Sequence, residues 1–228
     1  MELDLWLGHK LVARTVTAAR GGRVRIHYDE AVSAEHPAET PLLSCSLPTP
    51  GPGEPAKSRA FLEGLLPEGS ALAAAAAQVR GVRLVNGSPE AAADTVALLA
   101  EFGRECAGAI VAVPAGHEAP SSGHFEPLDG EALASLVREL PQRPLGTELG
   151  RDIRMSLAGA QQKFLLARVE GRWCEPIGGA PSTHILKPTT VWPHSAERGP
   201  DPGSRPRLRA HRRCCLDGAD GRRYGPGR

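Results

Sequence analysis

From Ser156 to Lys163 the chain reads Ser-Leu-Ala-Gly-Ala-Gln-Gln-Lys, a run of small residues closing on a lysine. Phe164 to Val169 follow with a strand pattern, Gly171-Arg172 make a turn, and Trp173 opens the return. Thr183-His184-Ile185-Leu186-Lys187 is a further strand that ends in lysine. A small-residue loop between strands can cover nucleotide phosphates, because backbone amides unshielded by side chains approach the oxygens closely. A lysine on a following strand can then supply the cation that orients the α- and β-phosphates. On spacing alone, one glycine is not a G-x-G-x-x-G loop, and a lysine at a strand end is more often a solvated charge on a structural hairpin. Both readings stand at this level.

The elements that must position these residues follow from hydrophobic period. Leu3, Leu5 and Leu7 alternate and predict a strand pair over 3–17. Gly21-Gly22 turn the chain into an alternating strand from Val24 to Tyr28, and Pro41 to Leu47 reads as a fourth short strand stopped by Pro48. A Pro/Gly loop over 48–56 leads to a helix from Ser58 to Leu66, with Phe61, Leu62, Leu65 and Leu66 on one face and Pro67 ending it. A second helix runs through the alanines 73–77, and a third spans Pro89 to Phe102 with Gly103 as its C-cap. Gly108 to Val113 is a buried strand, Glu131 to Leu140 a helix, and the Pro/Gly-rich 141–150 a boundary. The expected fold class is α+β, with a mixed sheet-and-helix module over 1–140 and a linker at 141–150. The β hairpin of a second unit then follows over 151–197.

Composition narrows the classes further. At 228 residues, 41% hydrophobic and 23% charged, the chain is ordinary for a globular protein. It has no apolar run long enough to span a membrane. The start, MELDLWLGHK, lacks a basic region followed by an apolar core, so no secretory leader is expected and the location expected is cytoplasmic. Cys45, Cys106, Cys174, Cys214 and Cys215 include no C-x-x-C pair and read as reduced thiols rather than a zinc site. The net charge of +1 averages two unlike pieces. Residues 198–228 hold nine arginines against three aspartates, whereas the other 197 residues hold 18 basic against 23 acidic ones. The tail is rich in Arg, Gly and Pro without apolar periodicity, so disorder is expected over 198–228. A basic arm for nucleic acid is the alternative, but with one aromatic and no motif no direct nucleic-acid binding is expected.

Several blocks, in order, resemble the HipA family, the serine/threonine kinase toxins of type II toxin–antitoxin systems. Pro41 to Pro48 is similar to the family's "PLSLSLP", Phe61 to Glu68 to its "FFDNLLPD", and Leu98 to Ala109 to "LLxxIGRDxxGAV". Ser156 to Lys163 resembles the "SxAGAQxK" phosphate loop, and Pro181 to Pro188 the "PTTHIIK" strand. The resemblance implies ATP and magnesium as cofactors. Ala158, Gly159, Ala160, Gln161, Gln162 and Lys163 would lie over the ATP phosphates, and Lys187 would be the phosphate-orienting lysine. Ser156 would match the serine that is autophosphorylated, and a phosphoryl group there would add close to two negative charges beside the ATP phosphates. Gln162 stands where some members carry an acid, so no individual role is assigned to it. His184 is expected as a packed strand residue. A DNA-binding antitoxin (HipB-like) is the implied partner and an aminoacyl-tRNA synthetase an implied protein substrate.

The chain also departs from the family. Family kinases continue well beyond the lysine strand, through a catalytic-loop aspartate and metal-holding Asn and Asp residues. Here no H-R-D-like or D-F-G-like segment follows Lys187, and Asp201, Asp217 and Asp220 sit in the Arg/Gly/Pro tail. No residue is therefore assigned a catalytic or metal-binding role, and an inactive kinase fragment is expected, the alternative being a non-catalytic module that docks on an antitoxin or a separate kinase subunit. A frameshift near Glu197 would account for the tail. Read one nucleotide on, degenerate codons for Leu208 to Arg228 permit "GLTVAAVWTVPTADGTALVV", a strand–turn–strand pattern. The apolar strands 163–169 and 183–187 are then expected to have an uncovered edge that promotes aggregation.

Overall fold

The computed structural model describes residues 1–17, 22–106, 110–117, 123–139, 163–178, 180–189 and 207–212. Eleven strands and five α-helices follow one another in the described residues. The first sheet has the order β3-β2-β1-β6, formed by β1 (Leu3–Leu7), β2 (Lys10–Thr17), β3 (Val24–Tyr28) and β6 (Ile110–Pro114). All its pairings are antiparallel, and the chain joins β1 to β6 across more than a hundred residues, from Leu3↔Pro114 to Leu7↔Ile110. The expected alternation is present: Val24, Ile26 and Tyr28 point inward and Arg25 outward.

The inner face packs on helices. α2 (Pro55–Glu63) and α4 (Ala92–Phe102) bring Leu62, Val96, Leu98, Leu99 and Phe102 against Leu3, Leu5, Val12, Val24 and Ile26, all essentially excluded from solvent. α3 (Gly69–Gln78) adds Leu72 and Ala75 to the same core. α2 begins on a proline, tolerated because the first helical N–H has no intrahelical partner. It closes at Glu63, so Leu65 and Leu66 are buried from the turn that follows it, not from the helix expected over 58–66. α4 starts at Ala92, three residues inside the expected span, because Pro89 belongs to a two-stranded hairpin. In that hairpin β4 (Leu84–Val85) pairs with β5 (Ser88–Pro89) around Asn86 and Gly87, both at positive φ. Asn-Gly is the sequence signal for such a turn.

Pro41 to Leu47 is not a strand. The segment is a folded turn closed by a lone Ser44↔Leu47 bridge. Ser44 Oγ accepts the Ser46 amide, and the Tyr28 hydroxyl donates to the Leu47 carbonyl at 2.5 Å. Serines that bond their own backbone compete with a ladder, and prolines at both ends remove donors. The short helix α1 (Glu30–Glu35), capped by Asp29 on the Ala31 amide, is too brief to show a period.

One close approach in this module makes a sharp prediction. A Cβ on Gly103 would meet the Ala112 carbonyl oxygen at 2.6 Å and the Ala112 Cβ at 2.8 Å. Both lie on the packed contact between the end of α4 and β6, so neither can give way cheaply. Gly103→Ala should cost about 2 kcal/mol and lower the melting temperature by several degrees. Thermal unfolding beside Gly51→Ala, an exposed glycine with open space around it, checks it.

The second sheet has the order β11-β10-β8-β9-β7, again antiparallel throughout. β8 (Phe164–Val169) and β9 (Arg172–Ile177) form the expected hairpin, turning at Glu170 and Gly171, both at positive φ. β10 (His184–Thr189) lies on the other side of β8. β7 (His124–Pro127) is hydrogen-bonded to β9, so this sheet draws a strand from before residue 140. α5 (Gly130–Glu139) follows it, close to the expected helix. The boundary expected at 141–150 lies outside the described residues.

The tail expectation needs correction at six positions. Arg207–Arg212 is not disordered but forms β11, paired with β10 along its whole length. Composition argued against burial, but a strand on a sheet edge needs only backbone pairing and one partner. β10 therefore has neighbours on both sides, and the edge expected to be uncovered at 183–187 is paired. The remainder of 198–228 lies outside the described residues. Among the described cysteines, Cys45 is exposed and Cys106 and Cys174 are buried. No described helix is long and apolar enough to cross a membrane.

Candidate phosphate-binding site

The β8–β10 ladder runs His184↔Leu166, Ile185↔Leu165 and Leu186↔Phe164. One step further in that register, Lys187 falls opposite Lys163. Residues opposite each other in an antiparallel pair share a face. The chain contains four lysines, at 10, 57, 163 and 187, and the sheet sets the last two side by side. Their face also holds Leu165, Ala167 and Cys174, all buried, so both lysines are half-buried at the end of an apolar strip.

The electrostatics follow from this placement. Burial pushes the Lys163 ammonium below its ordinary range, the Lys187 charge pushes it further, and Glu68 pulls it back up. Glu68 stands where the first module passes into α3, so an acid of that module acts electrostatically on Lys163. Two like charges set opposite each other oppose folding by a few tenths of a kcal/mol unless nearby acids or a bound anion offset them. Such a pair favours a phosphate or carboxylate. Because its folded-state pKa is depressed, Lys163 should turn neutral at lower pH than a surface lysine. Acetylation followed by mass spectrometry from about pH 7 to about pH 11 should show Lys163 reacting at lower pH than a free lysine side chain, and added tripolyphosphate should move its reaction to higher pH.

The opposite face is a different surface. Leu166 and Leu186 are buried there. His184 packs edge-to-face on Trp173 with centroids 5.1 Å apart, and the Arg168 guanidinium lies 5.6 Å from the Trp173 centroid. Thr183 Oγ1 accepts the Arg168 amide at 2.9 Å and lies 2.8 Å from His184 Nδ1. His184 is thus a packed strand residue, as expected.

Of the residues expected at the site, Lys163 and Lys187 are brought together. Ser156, Ala158, Gly159, Ala160, Gln161 and Gln162 lie outside the described residues. Glu68 was not a sequence candidate; its place at the end of the Phe61–Glu68 block is the signal that could have flagged it. Among the described residues no group of three or more His, Cys, Asp or Glu side chains could hold a metal ion.

A helix-backed antiparallel sheet followed by a second antiparallel sheet with two lysines set opposite each other defines an α+β protein. Comparison gives the family. Residues 3–113 match the HipA N-terminal domain. The chain is 36% identical over 194 residues to the inferred kinase Y4mE of Sinorhizobium fredii (strain NBRC 101917 / NGR234), covering 82% of this chain and 43% of that protein. It is 26% identical over 187 residues to the serine/threonine-protein kinase toxin HipA of Shewanella oneidensis, covering 82% and 40%. A solved complex of Shewanella oneidensis HipA with HipB and operator DNA shares the fold, with a TM-score of 0.56 at 24% identity over 83% of this chain and 41% of that one. The chain carries a HipA N-terminal domain over residues 3–113, and it spans less than half the length of these relatives.

Proposed function

We propose that this chain is the phosphate-gripping part of a HipA-type serine/threonine protein kinase toxin. The observation that carries the reading is the register that sets Lys187 against Lys163 beside an apolar strip. A half-buried cation pair suits a polyanion better than a solvated surface does. In the proposed role Lys187 orients the α- and β-phosphates of ATP, and Ala158 to Lys163 lie over them. Magnesium, where bound, would rest on the phosphates and on groups outside the described residues. Phosphorylation of Ser156 would switch the site off by placing a second anion beside the first. An aminoacyl-tRNA synthetase would be a substrate of the whole kinase.

This chain is proposed to bind nucleotide without transferring phosphate, since its residues include no catalytic-loop aspartate after Lys187. Calorimetric titration tests it: ATP should bind the 228-residue chain with a Kd on the order of 1 mM, or about −4 kcal/mol. Lys187→Ala should abolish that binding, and tight magnesium-dependent binding would overturn this reading. A second reading, a non-catalytic module that docks on a HipB-like antitoxin, is favoured by the solved HipA neighbour, which holds HipB and operator DNA. Co-elution of the chain with such an antitoxin supports it, and separate elution at micromolar concentrations counts against it.

A further inference from the structure

The chain's single asparagine is Asn86, and it stands before Gly87 at the tip of the β4–β5 hairpin. Val85, Asn86, Gly87 and Ser88 are all exposed. The ladder below the tip has two register pairs, Val85↔Ser88 and Leu84↔Pro89, and proline has no N–H to give to the second. The Gly87 nitrogen lies in the turn, outside both pairs. Among the described residues the Asn86 side chain has no hydrogen-bond partner. A Cβ on Gly87 would meet nothing within 4 Å, so the space beside it is open. These are the conditions for an intramolecular attack of the Gly87 nitrogen on the side-chain carbon Cγ of Asn86. Glycine carries no Cβ to shield its nitrogen, and it moves readily into the conformation that ring closure needs. A hairpin of two pairs resists such a movement weakly, because short ladders are marginal.

We propose that Asn86 is a site of self-deamidation, where an uncharged turn becomes a carboxylate and, in part of the molecules, a longer backbone. The bond from the Gly87 nitrogen to Cγ forms and the bond from Cγ to Nδ2 breaks. The side-chain nitrogen leaves as ammonia and takes the Gly87 amide proton, so a succinimide remains. Water then opens that ring. Opening at Cγ gives aspartate, and opening at the Asn86 backbone carbonyl gives isoaspartate, whose chain runs through Cβ and Cγ. Water is the only co-reactant. Aspartate keeps the main chain and adds a negative charge at the tip. Isoaspartate adds a backbone carbon between Val85 and Ser88, which a two-residue turn does not tolerate, so that pair is lost. The base of the hairpin is held separately. The Glu90 amide donates to the Arg83 carbonyl at 2.9 Å, Arg83 Nε lies 2.8 Å from Glu90 Oε2, and Arg59 Nη2 donates to the Pro89 carbonyl at 2.8 Å. The change therefore loosens the tip and leaves α2 and α4 in place.

The test incubates the full 228-residue chain at mildly alkaline pH, where the attacking nitrogen loses its proton more readily. The free peptide Leu84–Arg104, which trypsin releases, is incubated beside it. Peptide mapping by mass spectrometry then separates the asparagine, aspartate and isoaspartate forms. Asn86 in the intact chain should convert within about tenfold of the peptide's rate, with isoaspartate among the products. Asn86→Gln, whose longer side chain closes a less favourable ring, should slow conversion at least about tenfold. Equal melting temperatures for this variant and the parent show that the module is intact. Amide exchange over 84–90 should quicken in the isoaspartate form while α4 stays protected. Conversion in the peptide with none in the intact chain would overturn the proposal. Aspartate without isoaspartate would also overturn it, since direct hydrolysis needs no ring, as would Asn86→Gln converting as fast as the parent.

Discussion

Replacing Asp4 with alanine should destabilise the first sheet by about 2–3 kcal/mol, a large part of the stability of a small module. Asp4 sits on the central strand β1 with its side chain 3% exposed. Its carboxylate accepts Arg14 Nε at 2.5 Å, Arg14 Nη2 at 3.0 Å and the Gly116 amide at 2.8 Å. One side chain thus ties β1 to β2 and to the turn after β6. Arg14 is half-exposed and rehydrates once its partner is gone, which keeps the loss below that of a fully buried pair. Asp4→Asn, which can still accept the Gly116 amide, should lose less.

The same group sets a pH dependence. Burial alone would push the Asp4 carboxyl up, but the bonds from Arg14 and Gly116 outweigh it and hold the carboxyl below its ordinary 3.8. A depressed carboxyl stabilises the fold above the unfolded value, and that stability is lost as pH falls through the folded one. Hydrogen exchange of β1 and β2 amides should therefore show the wild type losing stability below about pH 4 more steeply than Asp4→Asn. Parallel curves for the two proteins would remove Asp4 from the acid response.

Ala210→Pro should have the second large effect. Ala210 pairs with Leu186 in the middle of β11, and proline there removes a donor and blocks continuation of the ladder. Without β11, β10 becomes an edge with Leu186 and Ile185 beside unpaired backbone. Exchange at the β10 amides should rise at least about tenfold and the chain should begin to self-associate, whereas β1 and β6 remain protected. Light scattering and exchange measured together check both halves. Unchanged exchange in β10 would show that β11 contributes nothing to the sheet.

The parts of the fold legible in the sequence are those with a strong local period. β3 alternates residue by residue, α4 carries apolar residues at helical spacing, and the β8–β9 hairpin has its turn glycine in place. What escaped is decided by contacts distant in sequence. β7 has one half-buried residue among exposed ones, so nothing in His124–Pro127 marks it as a partner of β9. β11 looks like an unstructured basic tail until β10 supplies its ladder. Pro41 to Leu47 misled because its alternation serves a turn pinned by Tyr28. At the site, the two lysines were legible as residue types, but their opposition comes from register, and the pull of Glu68 on Lys163 comes from tertiary packing.

The lysine count makes the decisive measurement possible. An acyl-phosphate derivative of ATP transfers its acyl group to amines lying beside the phosphates, and peptide mapping can assign every modified lysine in this chain. Lys10 and Lys57 are held by Glu35 and Glu54 on the first module and serve as internal controls. The account predicts that label collects on Lys163 and Lys187, that excess ATP or tripolyphosphate suppresses it, and that Lys10 and Lys57 stay at background. Label spread evenly over the four lysines, or label on Lys187 that excess ATP does not suppress, would contradict a phosphate site on the β8–β10 pair.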